Sequence, residues 1–421
     1  MTSDRRRAPA DAAMGDDAAD DARRAAQRVA HLAATTSAAS AAPARAPARR
    51  TVVVFGGCVM DVHARATRNA PRAGTTTIGT VSGGCGGVGY NIAHGLRAVR
   101  RAYAREDGVS DGDVCFVSAV GDDASGAAFV DAWANDGDSS SIVVVRDART
   151  ATVVCVLDDG GEIVSAVADV DVVERGVTPD VVRASADVVE KRASFVVVDA
   201  NLSVDAIRAV CEMCSRHHEV KMWYEPVSVE KAVRIVDAVG GARPMSSVEI
   251  ASPNAAELRE LANAIRRTWA KGSPMSPCPF NPSFEFESAS EALDAMASDV
   301  STVLAAGCAC VVLTLGALGC VVSRASPDGN ISLATHVHIP AAPVREIVSL
   351  IGAGDALVAA SVAALASGVA LVPALARGVA CAAIACEHPA ATLPPLDARD
   401  ITARARVVRA ACATLTPAVP Q

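Results

Sequence analysis

Short apolar runs, most of them separated by segments long enough for a helix, place the strongest constraint on how this chain can fold. Continuous apolar runs bounded by turn residues are typical of strands that are buried on both faces. Because strands that alternate with helices form crossover units, the pattern predicts an α/β fold with a doubly wound, mostly parallel sheet flanked by helices. The predicted strands are Thr51–Phe55, Cys115–Val120, Ile142–Val145, Thr152–Leu157, Phe195–Asp199, Val220–Tyr224, Val311–Leu315 and Cys320–Ser323.

Two zones break this alternation because their short strands leave no room for helices between them. They predict a small β-sheet lid, with lid segments at about residues 62–82 and 142–168. The Pro- and Ser-rich stretch Lys271–Ser290 predicts a surface insertion between helices rather than a domain boundary.

The composition indicates an intracellular protein with a large buried core. Of the 421 residues, 51% are apolar but only 3% are aromatic, so Ala and Val supply most of the core. The net charge of −8 argues against nonspecific binding to nucleic acid. The 13 cysteines are an odd number scattered through apolar runs, which favours reduced, buried thiols over a secreted disulfide scaffold.

Residues 1–50 differ sharply from the rest, since they are rich in Ala and Arg and contain no aromatic residue. Such a segment cannot bury enough surface to fold, so it predicts a disordered leader, followed by one folded domain at 51–415 and a tail at 416–421. Acidic pairs argue against a transit peptide. We therefore expect a cytoplasmic protein, with organellar targeting as the alternative because Arg24 to Leu32 resembles a peroxisomal signal.

The uncharged stretch Ala356–Ala376 reaches the length of a membrane span. Small residues dominate it, and Gly368 and Pro373 interrupt it. It therefore predicts two packed core helices rather than a membrane helix.

The strongest local motif is Gly352-Ala353-Gly354-Asp355, which directly precedes a helical run. Small residues at the start of a helix leave backbone N–H groups free to hold an anion such as a phosphate. A carboxylate in that first turn is well placed to accept a proton from an attacking hydroxyl. The alternative is that Asp355 only caps the helix.

A second glycine-rich segment, Gly83 to Asn91, leads into another helical run. It matches the dinucleotide fingerprint formally, but a lid strand precedes it where the fingerprint needs the first core strand. We interpret it as a backbone that approaches a hydroxylated ligand closely, with Asn91 offering both a donor and an acceptor. The alternative is a glycine-rich turn without a ligand.

Two further segments are suited to a nucleotide and its metal ion. Thr314 to Gly319 follows a strand and could lie beneath a nucleotide at the carboxyl end of the sheet. Asn254 and Glu257 lie three residues apart at a helix start, where their oxygens could orient Mg²⁺. Glu257 as a plain N-terminal helix acid is the alternative.

Cys211 and Cys214, followed by His217 and His218, resemble half of a zinc site. Both cysteines share one apolar face of a predicted helix, and no second ligand pair stands at zinc-site spacing. We expect both thiols to pack in the core.

Taken in order, these segments resemble the ribokinase-like (PfkB) family of carbohydrate kinases over about residues 51–415, most specifically at Leu350–Leu357. Within that family they are closest to pseudouridine kinases. The sequence segments that are similar to those of pseudouridine kinases are Gly56 to His63, Arg149 to Thr152, Ala168 to Asp171, Asp199 to Leu202 and Glu225 to Lys231.

The resemblance implies a role for each candidate residue, with ATP and Mg²⁺ as cofactors. Asp355 would be the base, the backbone at Gly352, Ala353 and Gly354 would stabilise the transferred phosphoryl group, and the lid would exclude water. The ribose of the substrate would be held by Asp61, Gly86, Gly87 and Asn91. The nucleotide would be held by Thr314, Gly316 and Gly319. The metal ion would be held by Asn254 and Glu257.

The signature also departs from the family pattern. Ser349 stands where ribokinases carry an acid, which leaves the need for a monovalent cation open. Val59 and Cys85 replace residues common in bacterial members, so substrate contacts at those two positions are not carried over.

The resemblance favours an ATP-dependent phosphotransferase that converts pseudouridine to its 5′-phosphate, which a separate pseudouridine-5′-phosphate glycosidase could cleave. Another nucleoside or sugar kinase of the same fold, or a catalytically silent kinase-like binding protein, remains the alternative. No nucleic acid or membrane partner is expected, and the edge strands of the lid offer a surface for a homodimer.

Overall fold

The computed structural model describes residues 51–67, 71–72, 74–107, 113–136, 139–159, 163–270, 284–326 and 330–417. The expected leader, 1–50, and most of the expected insertion, 271–283, lie outside these residues, as do residues 418–421 of the tail.

The described strands form one large and one small sheet. The strands of the large sheet are β1 (Thr51–Phe55), β4 (Val114–Gly121), β5 (Ile142–Val145), β8 (Ala193–Asp199), β9 (Lys221–Glu225), β10 (Ile250–Ala251), β11 (Cys310–Thr314), β12 (Cys320–Arg324), β13 (Thr335–Ile339) and β14 (Ala413–Leu415). Those of the small sheet are β2 (Val59–Ala66), β3 (Gly79–Gly86), β6 (Thr152–Leu157) and β7 (Ile163–Asp169).

In the large sheet the strand order is β14-β13-β12-β11-β10-β9-β8-β1-β4-β5. The strands from β11 to β5 pair in parallel, whereas β12, β13 and β14 are antiparallel additions at one edge. The expected doubly wound, mostly parallel sheet is confirmed, and all of its parallel strands point their carboxyl ends toward one edge.

Helices cover both faces of the large sheet. Alternate residues of β1 show this directly, because Val53 and Phe55 belong to one buried cluster while Val52 and Val54 belong to the other. The described α-helices are α1 (Val88–Asp107), α2 (Ala124–Asp136), α3 (Asp171–Gly176), α4 (Pro179–Ala184), α5 (Ala186–Arg192), α6 (Val204–Arg216), α7 (Arg234–Val239), α8 (Ala255–Trp269), α9 (Ala289–Ala305), α10 (Ala353–Ala366), α11 (Leu371–Cys386) and α12 (Ala398–Ala410).

The small sheet has the order β3-β2-β6-β7 and stands where a lid was expected. The inclusion of Ile142–Val145 in the lid is wrong, because this strand pairs in parallel with β4 in the large sheet. Its first two residues are buried, which suits an edge of the core rather than a sheet with an open face. The small sheet also reaches further than 62–82 and 142–168, since it begins at Val59 and ends at Asp169.

The uncharged stretch Ala356–Ala376 forms parts of two helices that pack together, α10 and α11, as expected. Gly368, with a φ of +83°, lies in the break between them. Pro373 does not interrupt α11, because it lies in the first turn, where its missing N–H has no intrahelical partner to lose. Among the described residues, no helix has both the length and the apolar character to cross a membrane.

Candidate active site

Asp355 lies in the first turn of α10, next to the glycine that begins this helix. Gly352 is the N-cap, with a φ of +80°, and a Cβ there would approach the carbonyl oxygen of Ala391 to 2.0 Å. Only glycine fits both requirements. The N–H of Ala353 donates to the Leu350 carbonyl at 3.4 Å, so the anion hole expected at 352–354 depends mainly on the amides of Gly354 and Asp355, which have no partner within the helix.

Asp355 and Asn91 bring two helix starts together. Asn91 lies in the first turns of α1 and its Nδ2 donates to Oδ2 of Asp355 at 2.8 Å. The two helices approach closely because Gly95 faces Ala359, where a Cβ on Gly95 would lie 2.8 Å from the Ala359 Cβ. The hydrogen bond fixes the orientation of the carboxylate within the cleft.

The buried amide oxygen of Asn91, Oδ1, has no hydrogen-bond partner in the structure. A buried acceptor without a donor is costly, so such atoms in native proteins commonly serve a ligand. A hydroxyl of a bound acceptor could donate to this oxygen.

The pKa of Asp355 is raised from 3.8 to about 7, mainly because burial disfavours the charged carboxylate. The negative charges of Asp199 and Asp61 raise it further, while the hydrogen bond from Asn91 opposes the shift. A carboxylate whose pKa lies near neutrality is suited to general-base catalysis.

Asp61 faces the same cleft from strand β2 of the small sheet. Its carboxylate lies against Gly86, because a Cβ on Gly86 would come within 2.0 Å of Oδ2, and the backbone N–H of Gly87 lies near enough to favour its ionised form. Burial raises the pKa of Asp61, while the nearby His63 lowers it. Gly87, with a φ of +90°, turns the chain from β3 into α1. The structure thus brings the four expected ribose-binding residues, Asp61, Gly86, Gly87 and Asn91, to one region.

The glycine-rich segment is not a turn throughout, because Gly83 to Gly86 are the last residues of strand β3. Gly89 lies in α1 and packs against the backbone of Gly56, where a Cβ would approach the Gly56 carbonyl carbon to 2.6 Å. This close approach requires glycine at both Gly56 and Gly89, so neither glycine needs a bound dinucleotide to explain it.

Asp199, at the end of β8, is a fully buried carboxylate that sequence reasoning did not assign to the site. It accepts hydrogen bonds from the amides of Gly57 and Asn201, at 2.9 Å each, and from Nδ2 of Asn201 at 3.1 Å. Lys231 extends this network, since its Nζ donates to Oδ1 of Asn201 at 2.7 Å. Burial raises the pKa of Asp199 despite these donors.

Glu225, at the end of β9, is the second carboxylate that sequence reasoning missed. Ser252 donates to its Oε2 at 2.5 Å, and the N–H of Val227 lies near enough to favour the ionised carboxylate. Val227 has a φ of +68°, rare for a β-branched residue, and the amide of Ser228 donates to the Pro226 carbonyl across it at 2.7 Å. This is a strained γ-turn of the kind found at functional sites.

Burial raises the pKa of Glu225 well above its usual value, and the charges of Glu257 and Asp355 raise it further. Glu257 and Asp355 therefore each lie within electrostatic range of Glu225 at the carboxyl edge of the sheet. A signal for Asp199 and Glu225 was present in the sequence, because each is an acid that ends a buried strand of a parallel sheet.

Asn254 and Glu257 form a capping box at the start of α8. Oδ1 of Asn254 accepts from the Glu257 amide at 3.0 Å, and Oε2 of Glu257 accepts from the Asn254 amide at 2.9 Å. The simple capping role that remained open for Glu257 is therefore present. Burial raises the pKa of Glu257, and the capping box engages only one of its two carboxylate oxygens.

Thr314 ends β11 directly beside the capping box, since its amide donates to the Pro253 carbonyl at 3.0 Å. Gly316 and Gly319 both have positive φ, and the 3₁₀ turn Gly316–Leu318 lies between Thr314 and Gly319. Asn254, Thr314 and the following loop line one cavity of about 530 Å³. The structure thus brings the expected nucleotide and metal residues together.

Cys211 and Cys214 lie on the buried face of α6, as expected from their spacing, and belong to the core beneath the sheet. Burial raises the pKa of Cys211 to about 12, which keeps this thiol protonated and inert.

Comparison with known proteins gives the site its context. A model of the pfkB family carbohydrate kinases matches residues 49–399. The chain is 29% identical to the pseudouridine kinase of Arabidopsis thaliana over 369 residues, which is 80% of this chain and 90% of that protein.

Solved structures share the same fold. A carbohydrate kinase from Agrobacterium tumefaciens superposes with a TM-score of 0.60 at 22% identity, over 85% of this chain and 98% of that one. Arabidopsis thaliana ribokinase, complexed with ribose and ATP, superposes with a TM-score of 0.60 at 19% identity, over 85% of this chain and 99% of that one.

Proposed function

Because the chain belongs to the pfkB family of carbohydrate kinases, and so is a phosphotransferase with an alcohol acceptor, we propose that it transfers the γ-phosphoryl group of ATP to the 5′-hydroxyl of pseudouridine. One observation carries the chemistry: Asp355, at the start of α10, combines a raised pKa with a fixed hydrogen bond to Asn91. The similarity to a pseudouridine kinase over 80% of the chain supports the acceptor.

In the proposed reaction Asp355 accepts the proton of the 5′-hydroxyl as that oxygen attacks the γ-phosphorus. The bond between the γ-phosphorus and the β,γ-bridging oxygen breaks, and ADP leaves with the electron pair of that bond. The amides of Gly354 and Asp355 stabilise the negative charge on the transferred group. Asn91 keeps Oδ2 of Asp355 oriented, while its own Oδ1 accepts from the ribose.

Asp61 binds ribose hydroxyls from the small sheet, where Gly86 leaves space for the acceptor-facing carboxylate. Because Asp61 lies in the small sheet and Asp355 lies in α10, movement of the small sheet relative to α10 changes the distance between acceptor and base. Closure would exclude water, which otherwise competes as the phosphoryl acceptor.

The carboxylates at the carboxyl edge of the sheet supply the oxygen ligands that Mg²⁺ prefers, although among the described residues no three His, Cys, Asp or Glu side chains are grouped closely enough to hold a metal ion by themselves. The phosphates of the nucleotide would have to supply the remaining ligands. Glu257 and Glu225 are the groups that would hold it or its water ligands, and their mutual repulsion in the free protein is relieved by a cation. Bound Mg²⁺ would neutralise charge on the β- and γ-phosphates.

The test is ADP release by the purified full chain with Mg-ATP, offered pseudouridine, uridine, adenosine, ribose and fructose in parallel. We expect turnover to be highest with pseudouridine and to fall by about 10³-fold or more in Asp355→Asn. Asn91→Asp is not a suitable control, because it removes the amide that donates to the Asp355 carboxylate. The control is Asp180→Asn, which changes an exposed acid distant in sequence from Asp355 and should leave turnover unchanged.

Preference for another acceptor would overturn the pseudouridine assignment and leave the phosphotransferase in place. Absence of turnover with every acceptor would instead favour a catalytically silent binding protein. Equal activity in Asp355→Asn and the unaltered chain would contradict the role of Asp355.

A further inference from the structure

The cavity beside Thr314 has a wall that no expected nucleotide-binding residue supplies. Two phenylalanines, Phe284 and Phe286, and Glu285 between them line it opposite the Thr314 loop. They immediately precede α9, and a volume of about 530 Å³ lies in the range of small-ligand sites.

The two phenylalanine rings are stacked and held rigidly. Their centroids are 5.9 Å apart with 24° between their planes, and the Arg259 guanidinium lies 5.3 Å from the Phe284 centroid. Asp299, whose side chain is only 3% exposed, pairs with Arg259 and with Arg266. Phe284 therefore contacts both Arg259 and Phe286, and both rings pack against the core while lining the cavity. Because Phe284 already contacts the Arg259 guanidinium, Phe286 is the better placed of the two for a ligand contact.

The chemistry of the wall distinguishes the two ends of a nucleotide. An aromatic face attracts a planar base by stacking, and such a contact does not depend on which base is present. Glu285 is exposed and acidic, so it would repel phosphates but can accept hydrogen bonds from ribose hydroxyls or a base amino group. The phosphates must point away from this wall, toward the backbone amides of Gly354 and Asp355 at the start of α10.

We propose that Phe286, supported by Phe284, forms the wall on which the nucleobase of the phosphoryl donor stacks. This rests on the proposed function, because it assumes that a nucleoside triphosphate is the donor. Because Phe286 stacks on Phe284 and packs against the core, the aromatic wall is already formed before the nucleotide binds, which lowers the ordering cost of binding.

The experiment measures binding directly by calorimetry, without an acceptor, using ATP and inorganic tripolyphosphate as probes. The variants are Phe286→Leu, which keeps an apolar side chain but removes the aromatic face, and Phe286→Tyr, which keeps the face. Leu333→Ala, at an exposed position outside the cavity, is the control. We expect Phe286→Leu to weaken ATP binding by about tenfold, with Phe286→Tyr close to the unaltered chain.

Tripolyphosphate has no base, so its affinity should be the same in the unaltered chain and in Phe286→Leu. Unchanged ATP affinity in Phe286→Leu, or an equal loss for both probes, would overturn the inference. If the unaltered chain binds no ATP, the proposed function fails first and this inference fails with it. If the unaltered chain binds and turns over ATP, and Phe286→Leu binds ATP with the same affinity, this inference is wrong and the proposed function still stands.

Discussion

At the scale of single residues, Asp355 owes its chemistry to its neighbours. Burial and the charges of Asp199 and Asp61 all disfavour its ionised form, and one hydrogen bond from Asn91 opposes them. A solitary carboxylate at a helix start would be stabilised in its ionised form, and its pKa would stay low. Burial, with a further contribution from the neighbouring carboxylates, therefore raises the pKa of a common capping residue to about 7 and makes it suited to act as a base.

We predict that kcat/KM for the acceptor rises with pH and levels off above about pH 7. Asp355 must be ionised to accept a proton, so activity is lost as the pH falls through the raised pKa of about 7. The pH profile of kcat/KM in the free enzyme measures this value. An acid limb near pH 4 would contradict the raised pKa.

Stability gives an independent measure of the same pKa. Because the folded state binds this proton more tightly than the unfolded chain, the stability linked to Asp355 falls as pH rises from about 4 to 7. The Asp355 side chain is partly exposed, so solvent reduces the effect of its shifted pKa on stability. Asp355→Asn carries no ionisable group at this position, so it should be more stable than the unaltered chain at pH 8, by roughly 2 kcal/mol, and similar to it at pH 4. Thermal unfolding at both pH values tests this, and a difference that does not change with pH would contradict it.

Gly86 and Gly84 lie on the same strand and offer a matched pair of substitutions. A Cβ at Gly86 would collide with the Asp61 carboxylate, whereas a Cβ at Gly84 meets nothing within 4 Å. We predict that Gly86→Ala lowers kcat/KM for the acceptor by about 10²-fold because Asp61 must move, while Gly84→Ala leaves it nearly unchanged. Steady-state kinetics with saturating ATP give the comparison, and equal effects of the two substitutions would show that Asp61 does not contact the acceptor.

At the scale of elements, the start of α8 serves two purposes that the sequence could not separate. The capping box satisfies two backbone amides, and the buried carboxylate of Glu257 lies near Glu225. One oxygen of the Glu257 carboxylate, Oε2, therefore contributes to stability through the capping box, whereas the charge of the carboxylate contributes to metal binding.

We predict that Glu257→Gln keeps the cap, because its amide oxygen still accepts from Asn254, but raises the Mg²⁺ concentration for half-maximal activity by about tenfold. Glu257→Ala should show the same metal effect and also lose about 1 kcal/mol of stability. Thermal unfolding and a Mg²⁺ titration of activity separate the two effects. Normal metal dependence in Glu257→Gln would leave Glu257 with the capping role alone.

At the scale of the whole molecule, burial divides the twelve described cysteines, all free, into two classes. Buried thiols have raised pKa values and no access to reagents, so they should resist alkylation in the native protein. The partly exposed ones are Cys85, Cys115, Cys386 and Cys412.

We predict that iodoacetamide modifies only these four of the described cysteines in the native chain, and that acceptor binding protects Cys85 alone. Cys85 lies close enough to Asp61 for that charge to raise its pKa, whereas Cys412 lies near the carboxyl end of the chain. The modified cysteines are identified by peptide mapping, with and without saturating pseudouridine. The Asp355→Asn variant is used so that the acceptor is not consumed. Equal protection of Cys85 and Cys412 would place the acceptor elsewhere.

The interpretation of the sequence succeeded where the signal was local. The run Thr51–Phe55 is strand β1 with the expected bounds, and Gly352, three residues before Asp355, begins α10 where the small residues of the motif predicted a helix start. It failed at Ile142–Val145, because four apolar residues do not say which sheet they join. Which sheet this strand joins depends on which neighbouring strand has an unpaired, buried edge, and in the structure that strand is β4.

The sequence by itself determined the parallel sheet, the paired core helices and the glycine-acid motif, because these follow from hydrophobic periodicity and from the backbone conformations that glycine allows. Only the tertiary structure decided that Asn91 would bond Asp355 across 264 residues, or that Asp199 and Glu225 would join the same edge. Local patterns constrain each element separately. The distances between elements depend on how all of their buried surfaces pack together, and those distances set the charge environment of the site.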